Sequence, residues 1–180
     1  MKLSILKKAL VGVVFLTIPA VSAFGQSMFA LGVNGLYGTE IKSFAVGAKV
    51  QVETTSHFRV EDAFNYFFKK NGVSIWEDNL NLHYLFYIGE KFRVYPLAGL
   101  TLVQVKYDMK SAIPAEYQQY AEMAGVGSGS SSSKTYFGGN VGAGIEYLIT
   151  PHLGVGLEGK YSIVKDVDQA VFGLGVTYRF

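Results

Sequence analysis

The sequence predicts an all-β fold, an eight-stranded antiparallel up-and-down barrel that crosses a membrane. Three observations predict it: period-two alternation, tight polar turns between the alternating stretches, and glycines gathered on one face. The clearest strand is the last. From Ala170 to Phe180 the even positions read Ala170, Phe172, Leu174, Val176, Tyr178 and Phe180. The odd positions read Val171, Gly173, Gly175, Thr177 and Arg179. Such alternation gives a strand one apolar face and one small or polar face.

Seven earlier stretches repeat the pattern. The first, about Met28 to Tyr37, places Phe29, Leu31, Val33 and Tyr37 on one side. Ser43 to Glu53 sets Phe44, Val46, Ala48, Val50 and Val52 against Gly47, Lys49, Gln51 and Glu53. Phe58 to Lys69 sets Phe58, Val60, Phe64, Tyr66 and Phe68 against Arg59, Glu61, Asn65 and Lys69. In the fourth, Leu80, Leu82, Tyr84, Phe86 and Ile88 oppose Asn79, Asn81 and His83. The fifth, Phe92 to Tyr107, is least regular: Pro96 lies early in it, and its phase slips near Val103, which predicts a bulge there. The sixth, Thr135 to Ile149, opposes Val141, Ala143, Ile145 and Tyr147 to Asn140, Gly142, Gly144 and Glu146. The seventh opposes Leu153, Val155, Leu157, Tyr161 and Ile163 to Gly154, Gly156, Glu158, Lys160 and Ser162. These are strong β formers at strand spacing.

The connections predict an orientation. Thr54–Ser56, Gly89–Lys91 and Thr150–His152 are tight, whereas those after strands one, three, five and seven read as longer or more polar. Short turns at one end and long loops at the other are the pattern of a membrane barrel, with both chain ends on the short-turn side.

A soluble barrel also alternates, but its polar face points out. Here Gly32, Gly47, Gly99, Gly142, Gly144, Gly154, Gly156, Gly173 and Gly175 share the polar face. Glycine weakens a strand and serves no purpose on a solvated surface, whereas a narrow eight-stranded lumen needs small residues. The same face carries Lys49, Glu53, Arg59, Glu61, Arg93, Glu146, Glu158 and Lys160 at mid-strand. Facing lipid, an Arg or Lys at the midplane costs about 2–4 kcal/mol, so these eight residues are expected to pair inside the lumen. Tyr37, Phe44, Phe58, Trp76, Phe92, Tyr107, Tyr136, Tyr147 and Phe180 recur near strand ends, where amphipathic rings favour membrane interfaces. Phe67, Leu85, Tyr95 and Leu97 also point to the lumen, which favours a plugged core over a diffusion pore.

The first residues read as an export signal. Lys2, Lys7 and Lys8 flank an apolar run from Ala9 to Ile18, and Val21-Ser22-Ala23 has the small-residue spacing of a cleavage site. Residues 1–23 are therefore expected to be removed, leaving residues 24–180 as the barrel domain. Their removal takes the 16 basic residues to 13 against 14 acidic ones, so the chain's positive charge is no argument for nucleic-acid binding. The chain has no cysteine, which excludes disulfides and thiolate metal sites.

The chain resembles the OmpA-like and OmpX-like outer-membrane β-barrel family, also described as a porin-family barrel domain. The resemblance is carried by Tyr95-Pro-Leu-Ala-Gly-Leu100, Gly142-Ala-Gly-Ile-Glu-Tyr147 with Thr150-Pro-His152, and Tyr178-Arg-Phe180. It implies a bacterial outer-membrane location and outer-membrane lipid as surroundings. It also implies that Tyr178 and Phe180 act as the signal read by the outer-membrane assembly machinery. The peptidoglycan-binding domain of two-domain members is not expected, because the sequence stops at Phe180.

No catalytic, cofactor or metal site is expected. His57 and His152 fall at turns and His83 in the lumen, where a hydrogen-bonded role is the ordinary one. A lipid-modifying enzyme needs Ser, His and a carboxylate gathered at one rim. Adjacent Ser56 and His57 point to opposite faces at the short-turn end. The carboxylates lie on different strands without dense metal-ligand spacing. The segment 108–134 is the expected contact loop for an extracellular partner, with a short helix over Ser111–Ala124 and a flexible Gly127–Ser133 run. The expected role is structural, in envelope integrity, or surface interaction. A small-solute channel is the alternative, and a lipid-modifying enzyme a more distant one.

Overall fold

The computed structural model describes residues 28–70, 72–108, 131–165 and 167–180. The proposed export signal, and the proposed helix in the long loop, lie outside these residues. The described chain forms β1 (Met28–Gly38), β2 (Ser43–Glu53), β3 (Phe58–Lys70), β4 (Val73–Tyr84), β5 (Phe86–Ile88), β6 (Phe92–Asp108), β7 (Ser131–Leu148), β8 (Leu153–Val164) and β9 (Gln169–Arg179). Consecutive strands pair antiparallel except β4 and β5, which both pair with β6, and β1 pairs with β9 to close the barrel. Closure leaves no open sheet edge in the wall, as a hydrocarbon surrounding requires.

β4 and β5 are one strand of the barrel, giving eight in all. Both pair with β6 in the same register, His83 opposite Leu97 and Phe86 opposite Val94. That register brings Tyr84 opposite Pro96, which has no N–H to donate, and the ladder breaks there. Leu85 N–H instead donates to His57 O at 2.7 Å.

The barrel is inside out by the standards of a soluble domain. Arg59, Glu61, Glu77 and His83 are among the most buried side chains, whereas Phe44 and Phe137 are 67% exposed. Aromatic pairs mark both ends of the outer face. Phe58–Tyr84 at 5.1 Å and Phe92–Tyr147 at 4.8 Å lie at the short-turn end, Tyr37–Phe44 at 5.1 Å and Tyr66–Trp76 at 4.4 Å at the other.

Four expectations are corrected. The bulge is absent at Val103, since β6 keeps one register along both neighbours; it lies between Phe67 and Lys70. The apparent phase slip arises because Val103 and Val105 face inward and are still apolar. They join Leu36, Ala45, Phe67, Ile75, Val164 and Val171 in an apolar plug. Tyr136 is no interface aromatic, as it packs against that plug. The connections after β1, β3 and β8 are no longer than the turns at the other end, because the strands themselves extend to the rim. Ser131–Ser133 is strand, not linker.

The asymmetry of the two ends therefore rests on one hairpin. β6 and β7 run 17 and 18 residues, β4 and β5 together span residues 73–88, and β1, β2, β3, β8 and β9 run 11–13. β7 pairs with β6 from Ser131 but with β8 only from Gly138. The far part of the hairpin thus stands clear of β8 while β6 stays paired with β4 as far as Tyr107, and residues 109–130 join its two strands.

Candidate functional site

The lumen is the candidate site, and alternation alone aims its residues inward. Glycines make the room. A Cβ on Gly144 would lie 2.4 Å from the Tyr95 ring, and one on Gly154 2.7 Å from Glu146 Oε1. Large side chains on one strand therefore occupy the space left by glycines on the next.

The eight charged residues expected there all have the inward parity, and seven of them fall in three groups. Near the short-turn end Arg93 Nη1 donates to Glu53 at 2.7 Å and lies 3.9 Å from Glu146, and Arg179 also binds Glu53. Beside this group Arg59 Nη1 donates to Glu146 Oε2 at 2.8 Å, and its Nε donates to His83 Nδ1 at 3.1 Å. The guanidinium lies 4.6 Å from the Tyr95 ring centroid, and that ring stacks on His83 at 4.7 Å. Lys49 Nζ is 3.3 Å from Glu61, which also accepts from Gln51 at 2.6 Å. Further up, Lys160 Nζ contacts Glu77 at 2.5 Å, beside Asn79 and Asn140.

Sequence reasoning missed two members, Glu77 and Arg179. Both share the parity of their inward neighbours, Glu77 with Asn79 and Asn81, Arg179 with Gly175 and Thr177; following parity to the strand ends finds them. Glu158 departs from the expected pairing. Its carboxylate accepts from Tyr95 Oη at 3.2 Å, and no cation reaches it within salt-bridge distance among the described residues. Tyr95→Phe is expected to destabilise the barrel by about 1–3 kcal/mol, because a largely buried acceptor loses its donor. Thermal unfolding followed by gel mobility in detergent reads this.

Glu61, His83 and Glu158 bring one ligand atom each to within 4.8 Å of one another, a convergence that three separate strands hide in sequence. The bond from Arg59 to Nδ1 leaves the ring proton on Nε2, the atom 3.8 Å from Glu61. A protonated Nε2 offers no lone pair to a metal, and Lys49 already holds the Glu61 carboxylate, so the group does not fit a metal centre. His57 stacks on Tyr84 at 5.7 Å at a turn, and His152 Nδ1 lies 2.9 Å from Arg179 O. The described residues bring no serine to either in a triad arrangement. Tyr178 and Phe180 face outward with rings 5.1 Å apart, and Phe180 N–H donates to Phe29 O at 2.9 Å across the closing seam.

A closed barrel of eight antiparallel strands, apolar outside and charged within, defines a membrane-spanning β-barrel protein. The family model for the outer membrane protein beta-barrel domain matches residues 10–180, and the chain belongs to that family. It is a bacterial outer-membrane protein. The N-terminal β-barrel domain of Pseudomonas aeruginosa OprF is similar at 17% identity and TM-score 0.66, over 85% of this chain and 97% of that one. Neisserial surface protein A is similar at 15% identity and TM-score 0.63, over 87% and 98%. Ail, the attachment invasion locus protein of Yersinia pestis, is similar at 19% identity and TM-score 0.58, over 86% and 97%. At these identities the likeness is one of fold. No curated protein sequence matches the chain.

Proposed function

We propose that the protein is a non-enzymatic, non-conducting outer-membrane barrel that presents the segment 109–130 at the cell surface for interaction. The observation that supports this reading is the packing of the lumen. Paired charges fill its lower and middle parts, and the apolar plug around Phe67 closes the end that carries the long hairpin. Ions crossing such a plug would shed water against Leu36, Ile75, Val103 and Val164. In barrels of this kind the long-loop end faces outward. The β6–β7 hairpin then connects through residues 109–130 at a rim whose other connections are short, and a rigid scaffold carrying one long connection suits recognition.

Two measurements test the two halves of the proposal. Purified protein in planar bilayers is expected to give no steady single-channel current; large, persistent currents would establish the channel alternative. Excising residues 109–130 is expected to leave folding intact, since loop length changes closure entropy only slowly. The same deletion is expected to abolish binding of whole cells to host cells or matrix. Binding by the intact protein that survives the deletion rules out the loop, and no binding by the intact protein leaves a structural role in the envelope.

A further inference from the structure

The barrel wall has a weak place at the short-turn end. The β3–β4 ladder finishes at Phe58 opposite Tyr84, and β5 pairs only with β6, Phe86 with Val94, Tyr87 with Arg93 and Ile88 with Phe92. Among the described residues, two hydrogen bonds join this part of the chain to the β2–β3 turn. Leu85 N–H donates to His57 O and Tyr87 Oη donates to Ser56 O, both at 2.7 Å. The break opposite Pro96 sets β5 off from β4, and buried Leu85, packed with Tyr95 and Leu97, anchors its base. Beyond Leu85, Phe86, Tyr87 and Ile88 are all exposed. A short segment with few buried contacts and a broken ladder at its base opens more readily than the strands around it.

Tyr87 has the inward parity of His83 and Leu85, one inward position nearer the turn than Leu85. Its ring centroid lies 4.9 Å from the guanidinium of Arg93. Arg93 in turn reaches Glu53 at 2.7 Å, and Glu53 also holds Arg179. This group sits toward an open end of the barrel, yet its side chains are only 4–12% exposed. The Tyr87 ring gives Arg93 an aromatic face. Its hydroxyl ties that ring to Ser56 across the seam, and His57 stands edge-on to it at 6.0 Å.

We propose that β5 is a lid over the short-turn mouth of the lumen, latched by the Tyr87 hydroxyl. Closed, it keeps water from the Arg93–Glu53–Arg179 group, whose ion pairs are stronger where water is excluded. Opening breaks the Tyr87–Ser56 bond and lifts the ring from Arg93, while Leu85 stays packed at the base. The open mouth admits water and small solutes as far as the apolar plug, which closes the other end. The lower lumen is then a chamber with one door, on the short-turn side, and not a channel.

The absence of cysteine lets one introduced thiol probe the chamber. Thr177 is 5% exposed and stands opposite Gly154, the glycine beside Glu146. Refolded Thr177→Cys protein in detergent is expected to react slowly with a small charged methanethiosulfonate. Adding Tyr87→Phe, which keeps the ring and loses the bond to Ser56, should speed the reaction about fivefold, the effect of one lost hydrogen bond. Tyr87→Ala, which also removes the ring from Arg93, should speed it about tenfold or more. Tyr84→Ala removes a girdle ring from the outer face beside the same His57 and should leave the rate unchanged. A rate that neither Tyr87 variant raises, or that Tyr84→Ala raises as much, overturns the proposal. So does a rate raised by Val103→Ala in the plug and not by Tyr87→Phe, since the reagent then enters from the other end. If Tyr87→Ala lacks the heat-dependent gel mobility of a folded barrel, Tyr87→Phe still decides.

Discussion

Arg59→Met is expected to destabilise the folded barrel by about 3–5 kcal/mol, the usual consequence of removing one partner of a buried ion pair. Arg59 is 1% exposed and holds three groups at once: Glu146, the Nδ1 of His83 and the face of Tyr95. Its loss leaves Glu146 with Arg93 at 3.9 Å as its remaining cation, and His83 without its donor. Combining Arg59→Met with Glu146→Leu should recover most of the stability, since replacing both partners by apolar groups is often neutral. Urea titration of refolded protein in detergent gives all the corners of this cycle. A double variant no better than Arg59→Met would show that the pair itself is not what holds this part of the lumen.

Gly99→Val is expected to yield no folded barrel, whereas Gly35→Val should fold normally. A Cβ on Gly99 would lie 2.3 Å from Leu80 O and 2.7 Å from the Cα of Asn81. Both are backbone atoms of the adjacent strand, so no rotamer change relieves the contact and the wall itself must move. Gly35 faces outward, and a Cβ there meets nothing within 4 Å. Its replacement by a β-branched residue removes a weak point in β1. The heat-dependent mobility shift of a folded barrel separates these outcomes: present for Gly35→Val, absent for Gly99→Val. A folded Gly99→Val would mean that the lumen tolerates more volume than its packing implies.

Much of the architecture was legible because a barrel strand has a period of two and each face meets a different medium. Parity along β2, β3, β8 and β9 assigned Lys49, Arg59, Lys160 and Thr177 to one face and Phe44, Phe64, Leu157 and Leu174 to the other. Parity failed where the lumen stops being polar. Val103 and Val105 in the plug made β6 apolar on both faces, and a regular strand then looked irregular. It also passed over Asp62 and Asp78, because an acid among lipid-facing residues breaks the pattern that the reading relied on.

The sequence by itself determined the strand number, the order of the strands and which residues look inward, since local alternation and turn chemistry are properties of short segments. Only the tertiary structure decided which inward residue meets which. Arg59 and Glu146 are 87 positions apart and Lys160 and Glu77 are 83 apart, and they meet because closure brings opposite walls together. Glu158 accepts from Tyr95 for the same reason: the tilt and stagger of the whole barrel set the height of each lumen residue. No segment of the chain contains that information alone, because it exists only once β1 has paired with β9.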